Sequence, residues 1–186
     1  MTLGPLTPAG STDTTPVGYL AQAPHPFADH AAEMAWVRWT LEALEVLAPR
    51  TFLAAPLSVE ALRSSDLSTS LGDRRRRLMP ILEPARVGRR RSELLAALEC
   101  ARELGIRCAV GGNRVHSAAG FDALVVTPRT AAHSVSMGDC RLLIATDLRT
   151  AREIDWARTC GASLVEGEAI ADPLRVAPVD VSRLRQ

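Results

Sequence analysis

Two hydrophobic rhythms alternate along this chain. Stretches in which apolar residues recur every three or four positions, as in amphipathic helices, are followed by short unbroken apolar runs, as in strands buried on both faces. The spacing predicts a helix from Asp29 to Leu47, with Asp29 as N-cap, Ala48-Pro49 as stop, and Met34, Trp36 and Trp39 on its core stripe. Thr51–Leu57 reads as a strand, Ser58 as the cap of a short helix to Arg63, Ser64–Ser70 as a polar connection, and Leu71–Arg77 as one or two helical turns. Strand Leu78–Leu82 ends at Glu83-Pro84. A helix beginning at Arg89 or Ser92 then runs to Gly105, with Leu94, Leu98, Ala101 and Leu104 on one face. Gly105 is its left-handed stop, and it delivers Ile106–Val110 as a strand onto Gly111-Gly112.

Asp122–Val126, Arg141–Ala145 and Ser163–Val165 are three more strands, and Thr130–Met137 a short helix. Thr150 and Glu153 have capping-box spacing for a helix through Cys160, stopped by Gly161. Six strands alternating with helices demand a parallel sheet with right-handed crossovers, in which chemistry gathers just past the carboxyl ends of the strands. Residues 1–26, rich in Pro, Thr and Gly, are expected to form a flexible arm in which only Val17–Ala23 is apolar enough to dock as an extended segment. The organisation expected is thus an arm 1–26, an α/β domain 27–173 and an irregular tail 174–186.

Charge changes this picture in one place. The chain is nearly neutral, at +1, and all 22 of its basic residues are arginine. Between residues 67 and 92, eight arginines (Arg74, Arg75, Arg76, Arg77, Arg86, Arg89, Arg90 and Arg91) face only Asp73 and Glu83, a local +6. Arginines at a helix start oppose its dipole, so Arg89–Arg91 are not there for helix stability. The segment is a candidate anion- or partner-binding site. Neither a helix-turn-helix nor a base-stacking platform points to nucleic acid.

Cys100, Cys108, Cys140 and Cys160 have no metal-ligand spacing and read as reduced core residues. His25, His30 and His133 are isolated, and the His116, Ser117, Cys108, Asp122 set matches no nucleophile pattern. Gly111-Gly112 could form a backbone nest for an anion. No cofactor is called for. With no apolar run long enough to cross a bilayer and no export signal, a cytoplasmic protein without membrane contact is expected.

In this order the elements resemble the EAL domain, the barrel-shaped phosphodiesterase that linearises cyclic di-GMP. The resemblance covers residues 27–173. Phe27–Glu33 with Trp39-Thr40-Leu41 is similar to its "F-x-x-x-A-E … W-v-l" helix, Leu53–Ser58 to "l-s-v-N-v-S", and Ile81-Leu82-Glu83 to "l-E-l-T-E". Leu104–Arg114 resembles "l-G-v-r-i-A-l-D-D-F-G", Ala123–Arg129 "L-K-I-D-R", Leu143–Thr150 "v-A-E-G-V-E-T", and Ala162–Pro173 "Q-G-y-l-f-g-r-P".

The resemblance implies hydrolysis by two divalent cations held by carboxylates and an Asn. On these letters the two strand Asp fall on Gly111 and Gly112, the Asn on Pro56, and the lysine on Val125 with its following acid on Thr127. The Glu of "A-E-G" falls on Thr146, and the second Glu of "E-x-x-E" on Arg86. Glu83 alone keeps its letter. The Glu-Ala-Leu segment and the first two strands read as absent. The expectation is an incomplete TIM-like (βα) barrel of about six parallel strands, with neither metal nor enzymatic activity. Such a barrel would act in bacterial signalling as a regulatory module that binds a protein partner or a second copy through its open edge. Non-hydrolysing recognition of cyclic di-GMP is the alternative reading, and residual phosphodiesterase activity a third.

Overall fold

A computed structural model describes residues 2–11, 15–23, 27, 29–83, 91–112, 115, 118–130 and 140–175. Its strands are β1 (Thr2–Pro8), β2 (Gly18–Gln22), β3 (Phe52–Pro56), β4 (Leu78–Leu82), β5 (Ala109–Gly111), β6 (Ala123–Val126), β7 (Leu142–Ala145), β8 (Leu164–Val165) and β9 (Leu174–Arg175). From β2 to β8 the strands run parallel in sequence order. Strand β1 lies antiparallel between β2 and β8 and joins the two ends, so eight strands close into a barrel.

This closure corrects the expected incomplete barrel with an open edge. Residues 1–26 were expected to be a flexible arm with one docked segment, yet they supply two barrel strands, one of which is that segment. Thr2–Leu6 pair with Gly18–Gln22, and Gly18–Leu20 pair with Phe52–Ala54. The physical reason is that a strand is selected by the groups it pairs, not by its own propensity. Pro5 lacks a donor, but on one flank of β1 the partners take only Thr2–Leu3 (β9) and Thr7–Pro8 (β8), leaving Pro5 in the interval. The tail, expected to be irregular after Pro173, begins with the short strand β9.

Helices α1 (His30–Val46), α2 (Val59–Arg63), α3 (Ser65–Leu71), α4 (Arg91–Glu103) and α5 (Ala151–Thr159) follow the capping signals. Asp29 Oδ1 accepts from Ala32 N at 2.8 Å and Ser58 Oγ from Ala61 N at 3.1 Å, while Thr150 and Glu153 form the reciprocal box. Gly105 and Gly161 stand at φ of 68° and 77°, as helix stops require. Ser65–Leu71, expected as a connection, is helical because Ser64 caps it and Leu67 and Leu71 are buried. The helix expected at Thr130–Met137 lies largely outside the described residues.

Alternate strand residues split into two cores. Leu6, Ala54, Met79, Ile81, Ala109, Ala123, Val125, Ile144 and Leu164 fill the barrel, and their neighbours pack outward against the helices.

Candidate functional site

The carboxyl ends of β2–β8 form one rim of the barrel. Two residues beyond the inward-facing Ala54, Ile81, Ala109, Val125, Ile144 and Leu164 stand Pro56, Glu83, Gly111, Thr127, Thr146 and Glu166. The fold thus gathers in one ring five positions that the sequence singled out, with Val125 one layer deeper. The Gly111 site is closely lined. A Cβ there would stand 3.1 Å from Val125 Cβ and 3.2 Å from Ile81 Cγ2.

Glu166, which sequence reasoning missed, is the most deeply placed acid of this ring, 5% exposed. Its Oε2 accepts from Asp147 N at 3.2 Å, and burial, with the charges of Asp147 and Glu168, raises its pKa against that hydrogen bond. The signal was in reach: extending the Leu164-Val165 alternation by one residue turns Glu166 inward.

Asp147 takes a left-handed backbone, φ 60°, and its Oδ1 accepts from Arg149 at 2.9 Å. The loop is braced further where Leu148 N donates to Glu166 O at 3.1 Å and where Glu153 Oε2 accepts from Arg149 N at 2.7 Å. Glu33, also at this end, is occupied structurally: its oxygens accept from Ser58 N at 2.9 Å and Ser58 Oγ at 2.8 Å.

The two-cation cage implied by the resemblance does not fit these donors. Gly111, Gly112 and Pro56 offer no side-chain oxygen, and among the described residues no three of His, Cys, Asp and Glu are grouped to hold a metal ion.

Arg74–Arg77 precede β4 and therefore lie at the opposite, amino end of the barrel, roughly 15 Å from the ring by strand rise. Arg74 pairs with Glu45, and Arg77 donates to Thr51 O, Leu47 O and Ala48 O at 3.0, 3.1 and 3.0 Å, closing the carboxyl end of α1. Arg86, Arg89 and Arg90 lie outside the described residues, and Arg91 begins α4.

The Cys108 set gains no nucleophile: Cys108 N donates to Asp122 Oδ2 at 2.9 Å, and burial, then the Asp122 charge, pushes the thiol up to about 12. His116, Ser117, His25 and His133 lie outside the described residues. Among the described residues no helix is long and apolar enough to cross a membrane.

Solved EAL structures match the fold of this chain. The EAL enzyme Bd1971 in its cAMP-bound form matches at TM-score 0.63 and 16% identity, over 98% of this chain and 64% of that one. The Bacillus subtilis YkuI protein, with an EAL domain, in complex with substrate c-di-GMP and calcium, matches at TM-score 0.69 and 13% identity, over 98% and 57%. The fold of this chain is EAL-like. The PaMucR phosphodiesterase in its c-di-GMP complex matches at TM-score 0.65 and 11% identity, over 94% of this chain and 91% of that one. The chain thus spans less than two thirds of the length of Bd1971 and YkuI. No protein-family model and no curated protein sequence matches it.

The EAL-like fold corrects the expectation of a chain without enzymatic activity. That reading counted ligands on a barrel lacking its first strands, whereas β1 and β2 are in place and the complete barrel is the one that an EAL enzyme and a phosphodiesterase use.

Proposed function

We propose that this chain is a regulatory module of bacterial cyclic di-GMP signalling that takes the dinucleotide at the carboxyl rim of its barrel. The observation that carries this reading is the closed EAL-like barrel, shared with solved proteins bound to that nucleotide. The rim supports it chemically. Thr127 and Thr146 supply hydroxyls, Arg129 and Arg149 stand on the β6 and β7 loops as cations for phosphate, and Glu83 and Glu166 can accept from guanine N–H groups. Arg149 is held in place by Asp147. An apolar floor of Ile81, Val125 and Ile144 excludes water beneath the ring.

Calorimetric titration with cyclic di-GMP, with and without magnesium, tests the reading, and chromatography of the same mixture follows the linear dinucleotide. Saturable binding weakened by Arg149→Ala supports it. Linear product that accumulates in proportion to protein would make the module an enzyme. Absence of heat and product in both conditions overturns it.

A further inference from the structure

Beyond the rim, the opposite end of the barrel carries an arc of arginines that form no ion pair among the described residues. Arg50 precedes β3, Arg75, Arg76 and Arg77 precede β4, and Arg107 precedes β5. Their contacts make these neighbours rather than separate charges. Arg77 Nε donates to Thr51 O, Arg107 Nη2 donates to Arg76 O at 3.3 Å, and the Arg107 guanidinium lies 5.8 Å from the Phe52 ring centre. Arg75 Nε donates to Gly72 O at 2.9 Å, and its Cδ lies 3.8 Å from where a Gly105 side chain would start. The strands β3, β4 and β5 are adjacent, so the arc spans only about 10–15 Å.

Where these guanidinium groups are anchored, it is on neutral carbonyl oxygens or on an aromatic face. The ion pairs among the described residues use Arg74, Arg149 and Arg158 instead. Anchoring on carbonyls fixes the side chains without cancelling their charge, which lowers the entropy lost when an anion binds. Arg50 and Arg76 are exposed, and their guanidinium groups have no partner among the described residues.

We infer that this amino-end arc is a docking surface for an acidic segment of a partner protein, with carboxylates seated on Arg50, Arg76 and Arg107 and an apolar contact on Phe52. Charge balance favours such a segment over a nucleic acid or a lipid surface. The chain totals +1, so outside these five arginines it carries −4, and an extended polyanion would meet both. A short acidic segment interacts within a screening length of about 8 Å and meets the arc alone.

A fluorescein-labelled peptide of four glutamates, about 13 Å long when extended and so no longer than the arc, read by anisotropy against the full chain, is the probe. Saturable binding that weakens at least about tenfold in Arg50→Glu/Arg76→Glu, weakens with salt, and is unchanged in the control Arg38→Glu/Arg152→Glu, two exposed helix arginines outside both sites, is the expected result. No saturable peptide binding overturns the inference. So does equal loss in that control, or tighter binding of a DNA duplex or phosphatidylserine vesicles with the same dependence on Arg50 and Arg76. Thermal melts confirm that the variants fold, and Arg50→Gln/Arg76→Gln replaces the reversal if it does not. Failure here leaves cyclic di-GMP titration at the rim unaffected, so the two readings fail separately.

Discussion

The carboxylate of Glu166 occupies the space that a side chain on Gly4 would need. A Cβ built on Gly4 would stand 2.1 Å from Glu166 Oε1. A residue at the amino end of the chain and one near its far end thus fit together across the junction at which β1 closes the barrel.

Gly4→Ala is therefore expected to destabilise the chain by about 1–3 kcal/mol, because the methyl forces a buried carboxylate off its position. Urea denaturation measures it. Adding Glu166→Ala should restore most of the loss, since the same atom is removed from the other side.

Glu166 also predicts a pH dependence. Its pKa is raised in the fold above its ordinary 4.5, mainly by burial, so between those two values the folded chain binds more protons than the unfolded chain. Its contribution is fully present below 4.5 and is lost as pH rises through the folded value. The melting temperature of Glu166→Gln should fall less than that of the parent as pH rises through this window. Parallel profiles would refute the assignment.

Arg77→Lys should cost about 1–3 kcal/mol although charge is conserved, because an ammonium cannot reach Thr51, Leu47 and Ala48 carbonyls as a planar fork does. Chemical denaturation read by tryptophan fluorescence follows it, since Trp36 and Trp39 lie on α1, whose end Arg77 closes.

Gly167→Ala should be the most damaging single change at the rim. Gly167 has φ 148°, and a Cβ there would stand 2.2 Å from Leu148 O, a backbone atom in the braced loop. A loss of about 3 kcal/mol or more is expected. Circular dichroism melts would show it, and an unchanged melting temperature would contradict the geometry.

Local patterns in the sequence by themselves determined most of the elements. Asp29, Ser58 and the Thr150–Glu153 pair announce helix starts, Gly105 and Gly161 announce stops, and the strand Leu78–Leu82 is matched residue for residue. These signals are legible because caps and periodicity act within one turn of chain. The rim positions came instead from the resemblance: Pro56 and Gly111 end β3 and β5, and Glu83, Thr127 and Thr146 directly follow β4, β6 and β7, but in unbroken apolar strands the sequence alone does not say which face points inward.

Tertiary structure alone decided closure and the placement of charge. Thr2–Pro8 has poor strand propensity and becomes a strand through antiparallel partners far along the chain, as in the Thr7–Val165 and Leu3–Leu174 pairs. Glu166 looks like an ordinary surface acid until β8 turns it toward Gly4. The arginine run 74–77 reads as a single charge feature, yet the fold sends Arg74 to Glu45 and Arg77 to backbone carbonyls, and groups Arg75 and Arg76 with the distant Arg50 and Arg107. Pairing and charge compensation are long-range quantities, fixed only when the barrel brings remote segments together.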